Sequence, residues 1–297
     1  MGMRSRIFLI ATLEAALAFA GARLPAAQDS SVLMPEESAA KAKQIMQQAI
    51  NAMGGSSYMN VHDITCTGQL SEFDHSGQVG GFEQFIEYAI PPDKSRSENL
   101  PKRNIIEVYN GNDGWALDRA GVSDASTTDI IRNSENAKRD LDNILRRRIQ
   151  EPDMSIRYGG KDIVDLQESD WVNLVDGDDR NIQIAFARST HLPIRKIIQT
   201  LNPKTQTKTV ETEIFSNYHP LNGIQTAFQI TRERNGFKTA QVFFNKCDYN
   251  TGLADSLFTK ASLDERWSQV GKKESAKDKK KDKKADSRSQ DGSPDSP

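Results

Sequence analysis

Short runs of β-branched and aromatic residues recur along most of the chain, and each run is bounded by Gly, Pro, Asn or Asp. This pattern is typical of strands that are joined by tight turns. Because the connections are short, it favours an antiparallel meander over a parallel sheet with crossover helices. We predict about ten strands, from the runs ITCTGQLSEF, VGGFEQFIEYAI, NIIEVY, GWALD, WVNLVD, NIQIAFA, PIRKIIQTL, TVETEIFSNY, IQTAFQITRER and KTAQVFFNKC.

Many of these runs alternate apolar and polar positions, so one face of the predicted sheet is wet and the other is covered. Two helices are predicted as the cover. One begins at Pro35, ends at Gly54-Gly55, and has an apolar face at helical spacing; the other extends from about Thr128 to Ile149. We therefore expect an α+β fold, mainly antiparallel β, in which a large sheet curls through its twist and leaves space beneath the helices.

The two ends of the chain differ from this pattern. Arg4 and Arg6 precede an apolar run and then small residues, which predicts a secretory signal peptide over 1–27, with cleavage after Ala22 or Ala27. From residue 271 onward the chain has nine Lys/Arg and six Asp/Glu but no side chain able to form a core, which predicts a disordered tail over 271–297. A tail that contacts anionic surfaces is the alternative. Residues 28–270 form the predicted domain.

Export would bring Cys66 and Cys247 into an oxidising compartment. The two cysteines form a disulfide if the fold brings their Cα atoms within about 7 Å, and the sequence alone leaves this open. We expect no metal site, because neither cysteine has another ligand at metal-binding spacing.

Residues suited to catalysis are scarce. The four histidines stand apart, and the sequence contains no nucleophile elbow, HExxH motif or phosphate-binding loop. We therefore expect a protein that is not an enzyme, needs no cofactor and binds no nucleic acid.

The order of several segments resembles a known family. An amphipathic helix ending in Gly-Gly is followed by ITCTGQL, IPPDKSRSE, YNGNDGWALD, RYGGKDIVDL, STHLPIRKI, FSNYHPLNGIQTAFQI and NTGLADSLF. This order is similar to the periplasmic outer-membrane lipoprotein-sorting proteins of the LolA/LolB-like superfamily, over about residues 36–262. The resemblance implies an unclosed β-barrel, or half-barrel, covered by helices on its concave apolar face, with a cavity for acyl chains.

The resemblance directs attention to apolar strand residues as the cavity wall, although each of them is also typical of plain core. The candidates are Phe82, Ile86, Tyr88, Ile106, Val108, Trp115, Leu117, Trp171, Ile182, Ile184, Phe186 and Phe228. The expected lid is the first helix, through Ile45, Met46 and Ile50. Arg96 resembles the arginine that ties the lid to the barrel in the sorting carriers.

These expectations give a functional hypothesis. The protein is a monomeric periplasmic carrier or chaperone for lipid or lipoprotein acyl chains, with transient contacts to envelope membranes or membrane proteins. The alternative from another class is an envelope sensor or protein-interaction module that uses the same fold.

Overall fold

The structure is a computed structural model and describes residues 33–202 and 204–269. The predicted signal peptide and the predicted tail lie outside these residues. The described chain forms one antiparallel sheet with strands β1 Ile64–Phe73, β2 Val79–Ile90, β3 Lys94–Leu100, β4 Ile106–Asn110, β5 Asp113–Asp118, β6 Gly121–Asp124, β7 Ser155–Val164, β8 Gln167–Val175, β9 Asn181–Ala187, β10 Pro193–Leu201, β11 Lys208–Leu221, β12 Ile224–Arg234 and β13 Phe237–Tyr249.

The strand order explains the overall architecture. It is β6-β5-β4-β3-β2-β1-β13-β12-β11-β10-β9-β8-β7, so the first strand and the last strand lie side by side in the middle. The chain builds one half of the sheet outward to β6, crosses to β7, and builds the other half back to the centre. β6 and β7 stay as open edges, and the sheet forms the predicted half-barrel. The predicted fold class is confirmed, with thirteen strands in place of about ten.

Three strands, β3, β6 and β7, are missing from the prediction. β3 has the polar sequence KSRSENL, which is not recognisable as a strand from its residues. Arg96 and Glu98 of β3 are nevertheless both buried, and they form an ion pair at 2.6 Å. β6 is only four residues long. β7 is rich in polar and glycine residues, SIRYGGKDIV, and lies at the edge of the sheet. Polar strands of this kind do not show the apolar alternation that strand prediction relies on.

The first helix, α1 (Pro35–Met53), follows its prediction. The Glu37 carboxylate accepts a hydrogen bond from the Met34 backbone N–H at 3.1 Å, which closes the N-terminus. The buried stripe is Ala42, Ile45, Met46, Ala49, Ile50 and Met53. At the other end, a Cβ on Gly54 would lie 2.3 Å from the Gly223 carbonyl oxygen, so only glycine permits this approach to the β11–β12 turn. A short helix, α2 (Ser56–Met59), then leads into β1.

The connection between the two edge strands carries further helices, and here the prediction of one helix to Ile149 is wrong. α3 (Thr127–Arg139) and α4 (Leu141–Arg146) are separated by Asp140, whose backbone is extended. The Asp140 carboxylate accepts a hydrogen bond from the Asn143 N–H at 2.9 Å and so caps α4. The Asp140 cap thus divides the predicted helix, and a 3-10 turn at Arg148–Gln150 follows α4.

A C-terminal segment covers the opposite face of the sheet from α1. It consists of a 3-10 turn, Asp255–Phe258, and a helix, α5, over 260–269. Phe258 and Leu263 are fully buried against Ile106, Val108 and Leu117. The two faces follow from the register, because residues paired across an antiparallel sheet share a face. Tyr88, Arg96, Val108 and Trp115 form one such row, while Glu87, Ser97, Glu107 and Ala116 form the row on the inner face.

The two central strands are joined covalently. Cys66 of β1 lies directly opposite Cys247 of β13, with 4.1 Å between their Cα atoms, and the two side chains form a disulfide. The bond therefore crosses the seam between the two halves of the sheet.

The disulfide yields the first prediction. Its partners are 181 residues apart, so replacing both cysteines with alanine should lower the free energy of unfolding by about 5 kcal/mol, since the cross-link restricts a long loop of the unfolded chain. Guanidinium unfolding of the variant and of wild type, with and without reductant, measures this. Reduced wild type should match the variant. Two free thiols in non-reducing peptide maps would contradict the bond.

Candidate ligand cavity

A cavity of about 610 Å³ lies between the inner face of the sheet and the helices. Strands β1–β3 and β10–β13 contribute the sheet side, the end of α1 contributes Met53, and α3 and α4 form the cover. This volume falls within the range of about 300–1,000 Å³ that is usual for small-molecule sites. The half-barrel therefore contains room for a ligand.

One wall of the cavity is apolar. Ile198 of β10, Phe215 of β11 and Ile230 of β12 line it from neighbouring strands, with Ala227 and Leu141 beside them. Ile198 and Phe215 are anchored in the main core, which packs against α1 and α4. Packing in the core therefore fixes the side chains of this wall, and an apolar chain can contact them.

Another part of the lining is charged, in two ladders of ion pairs. Lys196 lies 2.6 Å from the Glu213 carboxylate, and Arg232 approaches the same carboxylate at 3.2 Å. Glu211 is paired with Arg139 and Arg234, both at 2.8 Å. Burial alone would raise the pKa of Glu213, but the charges of Lys196 and Arg232 outweigh it and lower the pKa. In both ladders the positive and negative charges therefore lie against one another.

A third cluster is deeply buried where α2 meets α4. The Tyr58 hydroxyl donates to Asp142 at 2.7 Å, and burial holds the pKa of Tyr58 well above its usual range. The Arg146 Nη2 donates to the same carboxylate at 3.0 Å, and its guanidinium lies over the Tyr58 ring, 4.2 Å from the centroid. This cluster fixes α4 against α2.

Four carboxylates of the lining, those of Glu87, Asp93, Asp140 and Glu233, form no ion pair within 4 Å among the described residues. The Glu87 and Asp140 side chains are exposed to solvent, yet many protein atoms surround them. Loss of hydration raises the pKa of Glu87. Burial, together with repulsion from Asp142, raises the pKa of Asp140 to about 6, against the attraction of Lys196.

The twelve predicted wall residues lie elsewhere in the described part of the chain, and none of them lines this cavity. Ile182, Ile184 and Phe186 belong to the main core, in the same cluster as Ile45, Met46 and Ile50. The members that pack beneath the C-terminal segment on the outer face are Tyr88, Ile106, Val108, Trp115 and Leu117.

The remaining four candidates are dispersed. Trp171 packs in a small cluster around Ala185 and Ile194. Phe82 is 61% exposed, Ile86 is half-buried on the same strand, and Phe228 is half-buried with its ring edge-on to His219.

Arg96 does not contact the first helix but holds the C-terminal segment. Its Nη1 donates to the Leu257 carbonyl at 2.9 Å and to the Ser262 hydroxyl at 2.8 Å, while Nε pairs with Glu98. Glu98 also pairs with Arg103. Burial alone would raise the pKa of Glu98, but hydrogen bonds and the two arginine charges lower it. Arg96 therefore holds α5 on the outer face of the sheet, and not the first helix.

Sequence reasoning missed the residues that do line the cavity because it searched for apolar faces alone. A usable signal is present in TVETEIFSNY, where Glu211, Glu213 and Phe215 alternate and therefore share one face. A face that mixes charged and aromatic residues is unusual for plain core.

Comparison with known proteins gives evidence on the fold. No family model and no curated protein sequence matches the chain. Among solved structures, a putative outer membrane lipoprotein-sorting protein domain from Vibrio parahaemolyticus superimposes with a TM-score of 0.53 at 13% identity, covering 76% of this chain and 99% of that one. A DUF1329 family protein from Desulfovibrio piger superimposes with a TM-score of 0.54 at 16% identity, covering 75% and 98%.

The chain has the fold of a lipoprotein-sorting domain. A LolA superfamily protein from Nitrosomonas europaea is also similar, with a TM-score of 0.49 at 12% identity over 75% of this chain and 99% of that one, but the fold assignment rests on the first two. At these identities the likeness establishes the sorting-domain fold alone.

The described residues contain neither a membrane-spanning helix nor a cluster of metal ligands. None of the described helices combines the length and the apolar character needed to cross a membrane. Within the same residues, His, Cys, Asp and Glu side chains do not gather in groups of three or more that could hold a metal ion.

The raised pKa of Asp140 gives the second prediction. The pKa of Asp140 is about 6 in the folded protein and 3.8 ordinarily, so the ionised carboxylate lowers the free energy of unfolding. This loss of stability is absent below pH 3.8 and complete above pH 6. Asp140→Asn keeps an acceptor at the cap but cannot ionise. The variant should therefore gain stability relative to wild type as the pH rises. The difference between its Tm and the Tm of wild type should increase by about 2–4 °C from pH 4 to pH 7.5, which corresponds to about 1 kcal/mol of unfolding free energy once solvent screening of the charge is allowed for.

The matched control for this prediction is Asp129→Asn on the neighbouring helix. Hydrogen bonding from Ser126 lowers the pKa of Asp129, so its charge contributes stability that is present at high pH and lost as pH falls. The Tm difference for this variant should move in the opposite direction. A Tm difference for Asp140→Asn that is constant with pH would contradict the assignment.

Proposed function

We propose that the protein is an envelope carrier that binds lipid or lipoprotein acyl chains in the cavity and passes them on without catalysis. The observation that carries the proposal is the 610 Å³ cavity, with its apolar wall, under a cover of helices. An acyl chain gains about 0.8 kcal/mol for each methylene removed from water, so about ten buried methylenes support micromolar affinity. Sequestration of this kind requires no nucleophile or cofactor.

Two features support a periplasmic location. The predicted signal peptide would direct export, and the Cys66–Cys247 disulfide is of the type that forms in oxidising compartments. The lipoprotein-sorting name of a protein with the same fold is consistent with both. We infer a soluble periplasmic protein that meets membranes only transiently.

A carrier must open, and the arrangement of the helices favours α3 as the moving cover in place of α1. α1 buries six side chains in the main core, whereas no residue of α3, which the structure describes in full, is buried. α3 is held at its C-terminal half by ion pairs: Glu135 with Arg180 at 2.7 Å, Lys138 with Asp178 at 2.9 Å, and Arg139 with Glu211 at 2.8 Å. The Lys138 and Arg139 pairs are partly exposed, and pairs of that kind contribute little each. Arg180 is buried, but it keeps Asp176 and Asp178 as partners when Glu135 moves away, so α3 can separate without leaving that charge unpaired.

The third prediction tests the cavity by filling it. Ala227→Trp and Ile230→Trp place an indole against the apolar wall and should abolish binding of a 1-acylglycerol that carries pyrene at the end of its chain, whereas wild type binds it in the micromolar range. Overpacking should lower the free energy of unfolding by about 1–3 kcal/mol, so both variants stay folded. Pyrene fluorescence titration measures affinity, and circular dichroism checks the fold.

The control is Ile163→Trp, at a 70% exposed position on β7 outside the cavity, which should bind the probe like wild type. If wild type binds no acyl probe, the carrier proposal fails and the alternative, an envelope sensor or protein-interaction module, replaces it. Equal binding by all three variants would place the acyl chain somewhere other than this cavity.

A further inference from the structure

A second part of the outer face lies beside the C-terminal segment and is not covered by it. Two rows of paired residues cross β2, β1, β13 and β12 there. The first row is Gln84, Gln69, Phe243 and Gln229, and the second is Phe82, Ser71, Gln241 and Thr231. Phe82 and Gln84 lie an even number of positions before Tyr88 on β2, so both rows are on the outer face. We call these eight residues the outer patch.

The outer patch contains no charged residue, although 27% of the chain is charged. The nearest charges on β13 lie above and below the patch and already have partners. Lys246 pairs with Asp248 at 2.7 Å. The Lys238 ammonium lies 4.5 Å from the centroid of the Phe73 ring and donates to Gln241 at 3.4 Å. A charged ligand group on the patch would lose hydration without gaining an opposite charge, so the patch favours an uncharged ligand.

Two phenyl rings of the outer patch are open to solvent. Phe82 is 61% exposed and Phe243 is 38% exposed. They lie on β2 and β13, with β1 between them, so about 10 Å separates them across the sheet. Grouped exposed apolar residues mark contact surfaces, whereas single ones are ordinary. A ring face carries partial negative charge, so each of these rings can receive the C–H groups of a ligand.

Amide groups surround the two rings. The side chains of Gln69, Gln84 and Gln229 form no hydrogen bond with other described residues. A ligand that displaces water from free amides must supply donors and acceptors of its own, because an unpaired polar group costs free energy. A lipid bilayer core or an apolar protein surface supplies none. A sugar supplies both kinds of contact, since it has C–H groups on the faces of its ring and hydroxyl groups around the rim.

We propose that the outer patch binds an extended, uncharged oligosaccharide, whose sugar rings lie on Phe82 and Phe243 and whose hydroxyl groups bond to the glutamine amides. Gln69 of β1 lies between the strands of the two rings, so a chain that spans both rings passes over its amide. The patch and the cavity are on opposite faces of the sheet. The inference therefore adds a second site and does not depend on the proposed function.

Isothermal titration calorimetry of the full chain with four hexasaccharides tests the site. Cellohexaose, maltohexaose and chitohexaose are uncharged, and hexagalacturonic acid is the anionic comparison. We expect at least one uncharged hexasaccharide to bind wild type with a Kd below about 1 mM. Hexagalacturonic acid should bind at least about tenfold more weakly than that ligand, because its carboxylates find no partner on the patch.

Variants assign the binding to the outer patch. Phe82→Ser should weaken binding of the uncharged hexasaccharide about tenfold, because it removes a ring that contacts the sugar. Its matched control is Phe237→Ser, at a 60% exposed position at the start of β13 and outside the patch, which should keep the wild-type Kd. Gln84→Ala should also weaken binding, whereas Gln167→Ala, at an exposed position on β8, should not. All four variants should bind the pyrene probe like wild type.

The inference is wrong if no uncharged hexasaccharide binds, if hexagalacturonic acid binds as tightly, or if Phe82→Ser and Phe237→Ser weaken binding equally. Co-sedimentation with phosphatidylethanolamine–phosphatidylglycerol vesicles that Phe82→Ser abolishes would assign the patch to a membrane surface. A dimer in light scattering that Phe82→Ser dissociates would assign it to a second copy of the chain. Either result overturns the oligosaccharide site, whereas failure of wild type to bind the pyrene probe overturns the proposed function alone.

Discussion

The structure depends on the pairing of β1 with β13, the first and last strands of the sheet. This pairing joins two meanders into one sheet, and the Cys66–Cys247 disulfide crosses the same seam. Because the chain starts and ends its sheet in the middle, β6 and β7 become separate edges. The segment between these strands has to pass from one edge to the other across the concave side. The crossing places α3 and α4 over the cavity, so the cover of the site is a consequence of strand order.

The same topology explains why the two faces of the sheet differ. α1 precedes β1 and packs on the inner face of the β7–β9 half, where it completes the main core. The segment after β13 turns to the outer face of the other half and covers Ile106, Val108 and Leu117. The inner face of that second half is covered only by α3, none of whose side chains is buried. Its polar residues, Glu87 and Ser95, remain open to the cavity, which is why the site combines an apolar wall with charged groups.

The sequence predicted the strands better than the site. Runs that alternate, such as β9 and β12, match their predicted bounds, because apolar alternation is a direct product of strand geometry. Alternation shows that the two faces of a strand differ, but it does not show which face the sheet encloses. Tyr88 and Val108 were predicted to face a cavity, and instead they meet α5, a helix that the prediction lacked. Arg96 was predicted to hold a helix, but its partners Leu257 and Ser262 were beyond prediction, since the C-terminal segment reaches it only through the tertiary fold.

If the space between sheet and helices holds an amphiphile, native mass spectrometry of the full chain, purified from its own envelope without detergent, should detect it. We expect a population heavier than the polypeptide by the mass of one lipid or acylated species, with that mass released on collisional activation. A protein that emerges empty, and instead forms a stoichiometric complex with another protein, would rule out the carrier and support a sensor or interaction module.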